Sequence, residues 1–87
     1  MDVNDFFTAP VDPVALNLPD YFEVIKEPMD LGTIENRLNV NTIDSVHEFA
    51  RLVRLTFQNA TKYNPRPENP VHQAARTMLA IFNSRFG

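Results

Sequence analysis

The chain has no cysteine, and it has only two glycines, Gly32 and Gly87, among 87 residues. Without thiols there is no cysteine nucleophile, no disulfide and no cysteine-based zinc site. Long apolar runs are also missing. Nothing approaches the roughly 18 to 20 residues that cross a bilayer, and the opening MDVNDFF lacks the basic and apolar regions of a secretory signal. An intracellular protein without a membrane partner is expected. Basic residues are in deficit, 8 Lys and Arg against 11 Asp and Glu, for a formal charge of −3. Phosphate-backbone binders usually carry a basic face, so direct nucleic-acid binding is not expected and a positively charged partner fits better. His47 and His72 stand on separate segments with no neighbouring ligand pattern, so no metal or other cofactor is expected. No nucleophile is accompanied by a base and an orienting group, and no phosphate-cradling loop is present, which argues against an enzyme.

What is present suits one small globular domain spanning residues 1–87. Hydrophobic residues make up 44% and charged residues 22%, and a chain this long buries roughly 60 to 65% of its unfolded surface. The seven prolines fall in two clusters, at 10–28 and 65–70, which leaves two long segments free to be helical. Asp30 can cap a helix over LGTIENRL that ends around Asn39 to Asn41, with Leu31, Ile34 and Leu38 at helical spacing. Ser45 and Glu48 form an S-x-x-E capping box before Val46, Phe49, Ala50, Val53, Phe57 and Ala60. Asn69 followed by Pro70 reads as an N-cap and first helical position, with Val71, Ala74, Ala75, Met78, Leu79, Phe82 and Phe86 continuing the period. Period-2 alternation is not sustained anywhere, so the class is all-α.

The stretch from about Thr8 to Pro28, TAPVDPVALNLPDYFEVIKEP, is long for a connection inside a compact domain. It is too apolar to stay in water, with Val11, Val14, Leu16, Leu18, Tyr21, Phe22, Val24 and Ile25. A proline-stiffened apolar loop against helices makes the wall of a cleft. Asn64, between Tyr63 and Pro65, reads either as a helix-end residue or as a hydrogen-bonding group at the mouth of such a cleft. Val11, Leu16 and Leu18 suit core and pocket wall equally, Met29 and Met78 read as packing, and Glu23, Lys26, Glu27, Glu35 and Arg37 read as a solvated face.

The series P-V-D, L-P-D-Y, P-M-D-L-G-T-I and Y-N, in this order over about Phe7 to Phe82, resembles the bromodomain family, the acetyl-lysine-binding modules of chromatin proteins. The resemblance implies a left-handed four-helix bundle with a long proline-rich loop between the first two helices and a short loop between the last two, framing one pocket. It implies that the Asn64 side chain donates an N–H to the acetyl carbonyl. Tyr21 would hold a bridging water against the same carbonyl. Val11, Leu16, Leu18, Ala60 and Tyr63 would line the walls, with Phe7 at the base. The gating position maps to Val71 if PRPEN carries one extra residue and to Pro70 if it does not; the register of HQAARTMLAIF favours Val71. Acetylated histone tails or other acetylated peptides are the implied partners, with a nuclear, monomeric reader as the setting.

The chain departs from the family at its start. Only MDVNDFF precedes the P-V-D segment, so the first helix is expected to be short or truncated and the bundle less stable than usual. The family's W-P-F shelf is replaced by Asp5-Phe6-Phe7. Phe7 keeps the aromatic base, the tryptophan wall is lost, and the acidic Asp5 would favour basic residues flanking the acetyl-lysine. A helical interaction scaffold with a degraded pocket is the alternative function.

Overall fold

The computed structural model describes residues 5–86, apart from the Asp5 side chain. What was expected of residues 1–4, of Gly87 and of the Asp5 carboxylate lies outside them. The described residues form five helices and no strand: α1 (Asp5–Thr8), α2 (Tyr21–Val24), α3 (Leu31–Asn39), α4 (Val46–Tyr63) and α5 (Pro70–Phe86). The last three are the helices expected from sequence. The turn α2, inside the proline-rich loop, is an addition that apolar periodicity could not reveal, because one turn is too short to show a period.

Each long helix starts where a side chain meets its unpaired backbone donors. Asp30, only 3% exposed, accepts from the Thr33 N–H at 2.8 Å and the Thr33 hydroxyl at 2.6 Å. Ser45 Oγ accepts from the Glu48 N–H at 3.1 Å. The reciprocal half of the expected capping box is replaced: the Glu48 carboxylate turns to Arg51, 2.6 Å away, and Arg51 also reaches Glu27. That contact gives Glu27, read as part of a solvated face, a partner on α4. Asn69 caps α5, with Oδ1 accepting from the Val71 N–H at 2.8 Å and the His72 N–H at 3.3 Å.

The core joins α1, α3, α4 and α5 through Phe6, Phe7, Ile34, Leu52, Val53, Phe57, Ala60, Val71 and Ala75. Phe7 meets Phe57 edge-on with ring centres 5.3 Å apart, which fastens the single turn of α1 to α4. Gly32 makes the α1–α3 approach possible, since a Cβ there would sit 2.5 Å from the Thr8 carbonyl oxygen. Not every residue of the periodic faces is buried. Met78 is 43% exposed, as is Phe86, and Val46 is 69% exposed, which corrects the reading of Met78 as packing. Met78 and Phe86 line an open apolar strip, although Phe86 still stacks on Phe82 at 4.7 Å.

Candidate functional site

Asn64 is the residue at which α4 ends. Its backbone N–H donates to the Ala60 carbonyl at 3.0 Å, and its side-chain Nδ2 donates to the same oxygen at 3.0 Å. With φ −120° and ψ 75° the chain leaves the helix there. A primary amide has two N–H donors, so one is occupied by Ala60 and the second has no hydrogen-bond partner among the described residues. The amide oxygen faces Asn69 Nδ2 at 3.5 Å, and the backbone carbonyl faces His72 Nδ1 at 2.6 Å. The start of α5 thus holds both oxygens of Asn64, and α4 holds its nitrogens.

Tyr21 begins α2 and is 3% exposed. Its ring lies 4.9 Å from that of Tyr63 and 5.7 Å from that of Phe22, both edge-on. Burial, and then the nearby Asp30 carboxylate, raise the pKa of its hydroxyl above the ordinary value, so it remains a neutral O–H. The Tyr63 hydroxyl donates to Asp20 Oδ1 at 2.5 Å, and that bond is the main reason its pKa is pushed up to about 12. Tyr63 was expected as a wall residue. Its ring backs Tyr21 and its hydroxyl ties the loop to α4.

The apolar candidates share one region. Phe7, Ala60 and Val71 belong to the core cluster, and Val11, Leu16 and Leu18 are partly buried against it. The loop carrying them is shaped by its own backbone: Asp12 Oδ1 accepts from the Val14 and Ala15 N–H groups at 3.0 and 3.2 Å, and Asn17 takes φ 56°. Val71 is 8% exposed, whereas Pro70 is exposed on the surface.

Several residues that organise the site were not singled out from sequence. Asn59, 7% exposed, sends Nδ2 to the Glu27 carbonyl at 2.8 Å and so anchors the end of the long loop to α4. Its one visible signal was a polar side chain set among the apolar positions of that helix. Asp20 stood in the L-P-D-Y motif and His72 was weighed only as a metal ligand; neither showed these contacts, because their partners Tyr63 and Asn64 are adjacent to them only after folding. Among the described residues no group of three or more His, Asp or Glu could hold a metal ion, and no helix is long and apolar enough to cross a membrane.

A family model described as Bromodomain matches residues 2–77. The chain belongs to the bromodomain family. Transcription factor GTE11 of Arabidopsis thaliana is 50% identical to it over 80 residues, which make up 92% of this chain and 13% of that protein. The SWR1 complex bromodomain subunit bdf1 of Schizosaccharomyces pombe is 48% identical over 80 residues, 92% of this chain and 14% of that protein. The chain therefore spans only a small part of these relatives. The second bromodomain of Candida albicans Bdf1, bound to an imidazopyridine, superposes with a TM-score of 0.85 at 41% identity, covering 94% of this chain and 76% of that one. The bromodomain fold is that of a reader module and is not typically enzymatic.

Proposed function

We propose that this bromodomain binds acetylated lysine side chains, foremost on histone tails, as a nuclear chromatin reader. The observation that carries the reading is the Asn64 amide: one N–H is fixed on Ala60, the other is left for a ligand, and the apolar side chains of Val11, Leu16, Leu18 and Val71 pack into the neighbouring core. Acetylation turns a strongly hydrated ammonium into a neutral amide with one carbonyl acceptor. Such a site accepts that amide, while burial of the unmodified ammonium without a partner costs several kcal/mol. The Tyr21 hydroxyl, kept neutral, is suited to hold a bridging water on the acetyl carbonyl. Burial of Val71 and exposure of Pro70 favour Val71 as the gating residue. Relatives that are transcription factors and a chromatin-complex subunit support the nuclear setting.

Calorimetric titration with acetylated and unmodified versions of one histone-tail peptide tests the proposal. Selective binding in the range of tens to hundreds of micromolar is expected, since the site encloses one side chain. The contacts are mainly neutral, so raising salt from about 0.05 to 0.5 M should weaken binding far less than it weakens a phosphate-backbone complex. Equal binding of the two peptides would reject the reading. It would leave the interaction scaffold, for which the open strip of Met78, Ile81 and Phe86 is the supporting observation.

A further inference from the structure

The Asn64 N–H still closes the last helical bond, to Ala60, but with ψ 75° its carbonyl has left the helical direction. The chain turns at once into Pro65-Arg66-Pro67, and some other contact must hold the peptide unit that follows Asn64. That contact comes from His72. Its Nδ1 lies 2.6 Å from the Asn64 carbonyl oxygen. A carbonyl oxygen only accepts, so Nδ1 must carry the hydrogen. The ring is therefore the Nδ1–H neutral tautomer or the imidazolium, because the Nε2–H tautomer would set two lone pairs against each other.

His72 is itself placed by the first turn of α5. Its backbone N–H is accepted by Asn69 Oδ1 at 3.3 Å, and the same Asn69 reaches back through Nδ2 toward Asn64 Oδ1. The Asn69 contact is long, at 3.5 Å, whereas the His72 contact is short. Of the two groups that reach Asn64 from α5, the imidazole is the stronger.

We propose that His72 is a positioning residue of the site: its Nδ1–H fixes the peptide plane after Asn64 and so aims the free amide N–H at the ligand carbonyl. The proposal rests on Asn64 being the recognition residue. It assigns His72 no contact with the ligand. A side chain that only stiffened the short loop would make the same bond, but its loss would lower the melting temperature without lowering affinity where the protein is still folded.

Two substitutions separate these roles. His72→Phe keeps a ring and removes the donor, while His72→Asn places an amide nitrogen close to where Nδ1 stood. Wild type and both variants are titrated with one acetylated histone-tail peptide and its unmodified counterpart, and melted. Long-range proton–nitrogen spectra of the unliganded wild type report which ring nitrogen of His72 is protonated. The expected results are a hydrogen on Nδ1, a loss of about tenfold in affinity for His72→Phe, as for other hydrogen bonds of this kind, and recovery of most of that loss in His72→Asn. A hydrogen on Nε2 alone, or His72→Phe binding like wild type, overturns the proposal. So does an equal loss in both variants that follows melting temperature. If wild type fails to prefer the acetylated peptide, the reading of the site falls together with the proposal. If wild type discriminates and His72→Phe matches it, only the proposal falls.

Discussion

The Tyr63 hydroxyl donates to Asp20 Oδ1 at 2.5 Å, linking the last turn of α4 to a loop residue 43 positions earlier in the chain. Tyr21, next to Asp20, sits with its ring 4.9 Å from that of Tyr63. One tyrosine thus fixes the loop by its hydroxyl and supports the other by its ring. The consequence for the site is that the buried Tyr21 cannot shift without disturbing the end of α4, which Asn64 also occupies.

Both tyrosines should titrate late in the folded protein. The Tyr63 pKa is pushed up to about 12 by the bond to Asp20, and that of Tyr21 is raised by burial and by Asp30. A raised pKa means the fold favours the neutral phenol. The associated stability is complete below the ordinary value of 10.0 and is lost as pH rises through about 12. With 2 tyrosines and no tryptophan, near-ultraviolet phenolate absorbance reports both directly. Native protein should ionise at higher pH than denatured protein, and Tyr63→Phe should leave a single late transition. Coincident native and denatured curves would count against the Tyr63–Asp20 bond.

The helices were legible because their signals are local. Asp30, Ser45 and Asn69 each stand one residue before their helices, and all three accept the backbone N–H groups their positions imply. The candidate site residues were expected from motif order, and the structure gathers Phe7, Val11, Leu16, Leu18, Ala60 and Val71 around one core. The supporting contacts stayed hidden. Glu27 with Arg51, Asn59 with the Glu27 carbonyl, and Asp20 with Tyr63 join residues at least 24 positions apart. No periodicity or capping rule relates such pairs, because the loop between them sets their distance.

Gly32→Ala should lower the melting temperature, against the helix-propensity trend. In an exposed helix interior the change stabilises by about 1 kcal/mol. Here the new methyl would stand 2.5 Å from the Thr8 backbone oxygen, so α1 must move. Overpacking of this kind costs about 1 to 3 kcal/mol and exceeds the propensity gain. A melting curve at or above that of wild type would show that α1 yields freely.

Asn59→Ala should damage the site from a distance. It leaves the Glu27 carbonyl without its 2.8 Å donor and frees the segment leading into α3. Loss of a largely buried hydrogen bond of this type costs about 1 to 3 kcal/mol of stability. Because the long loop also carries Tyr21, Leu16 and Leu18, peptide affinity should fall as well, even well below the melting temperature. An unchanged affinity in a destabilised protein would mean that the loop is held independently by Tyr63 and Asp20.

Asn64→Asp brings the structural and functional roles of one amide into the same test. A residue that only ended a helix with its side chain free in solvent would tolerate the change, since aspartate has the same shape. Asn64 is not free, however: its Nδ2 donates to the Ala60 carbonyl at 3.0 Å, and aspartate would set an oxygen against that oxygen. The variant should therefore melt lower while remaining folded. Recognition of an acetyl group adds a second loss, because the carboxylate offers no N–H to the ligand carbonyl and faces it with another acceptor. Affinity for an acetylated peptide, measured by calorimetry well below the melting temperature of both proteins, should fall by about 1 to 3 kcal/mol, roughly ten- to a hundredfold. A lower melting temperature with wild-type affinity would show that the bond to Ala60 accounts for Asn64 entirely and that another group reads the ligand.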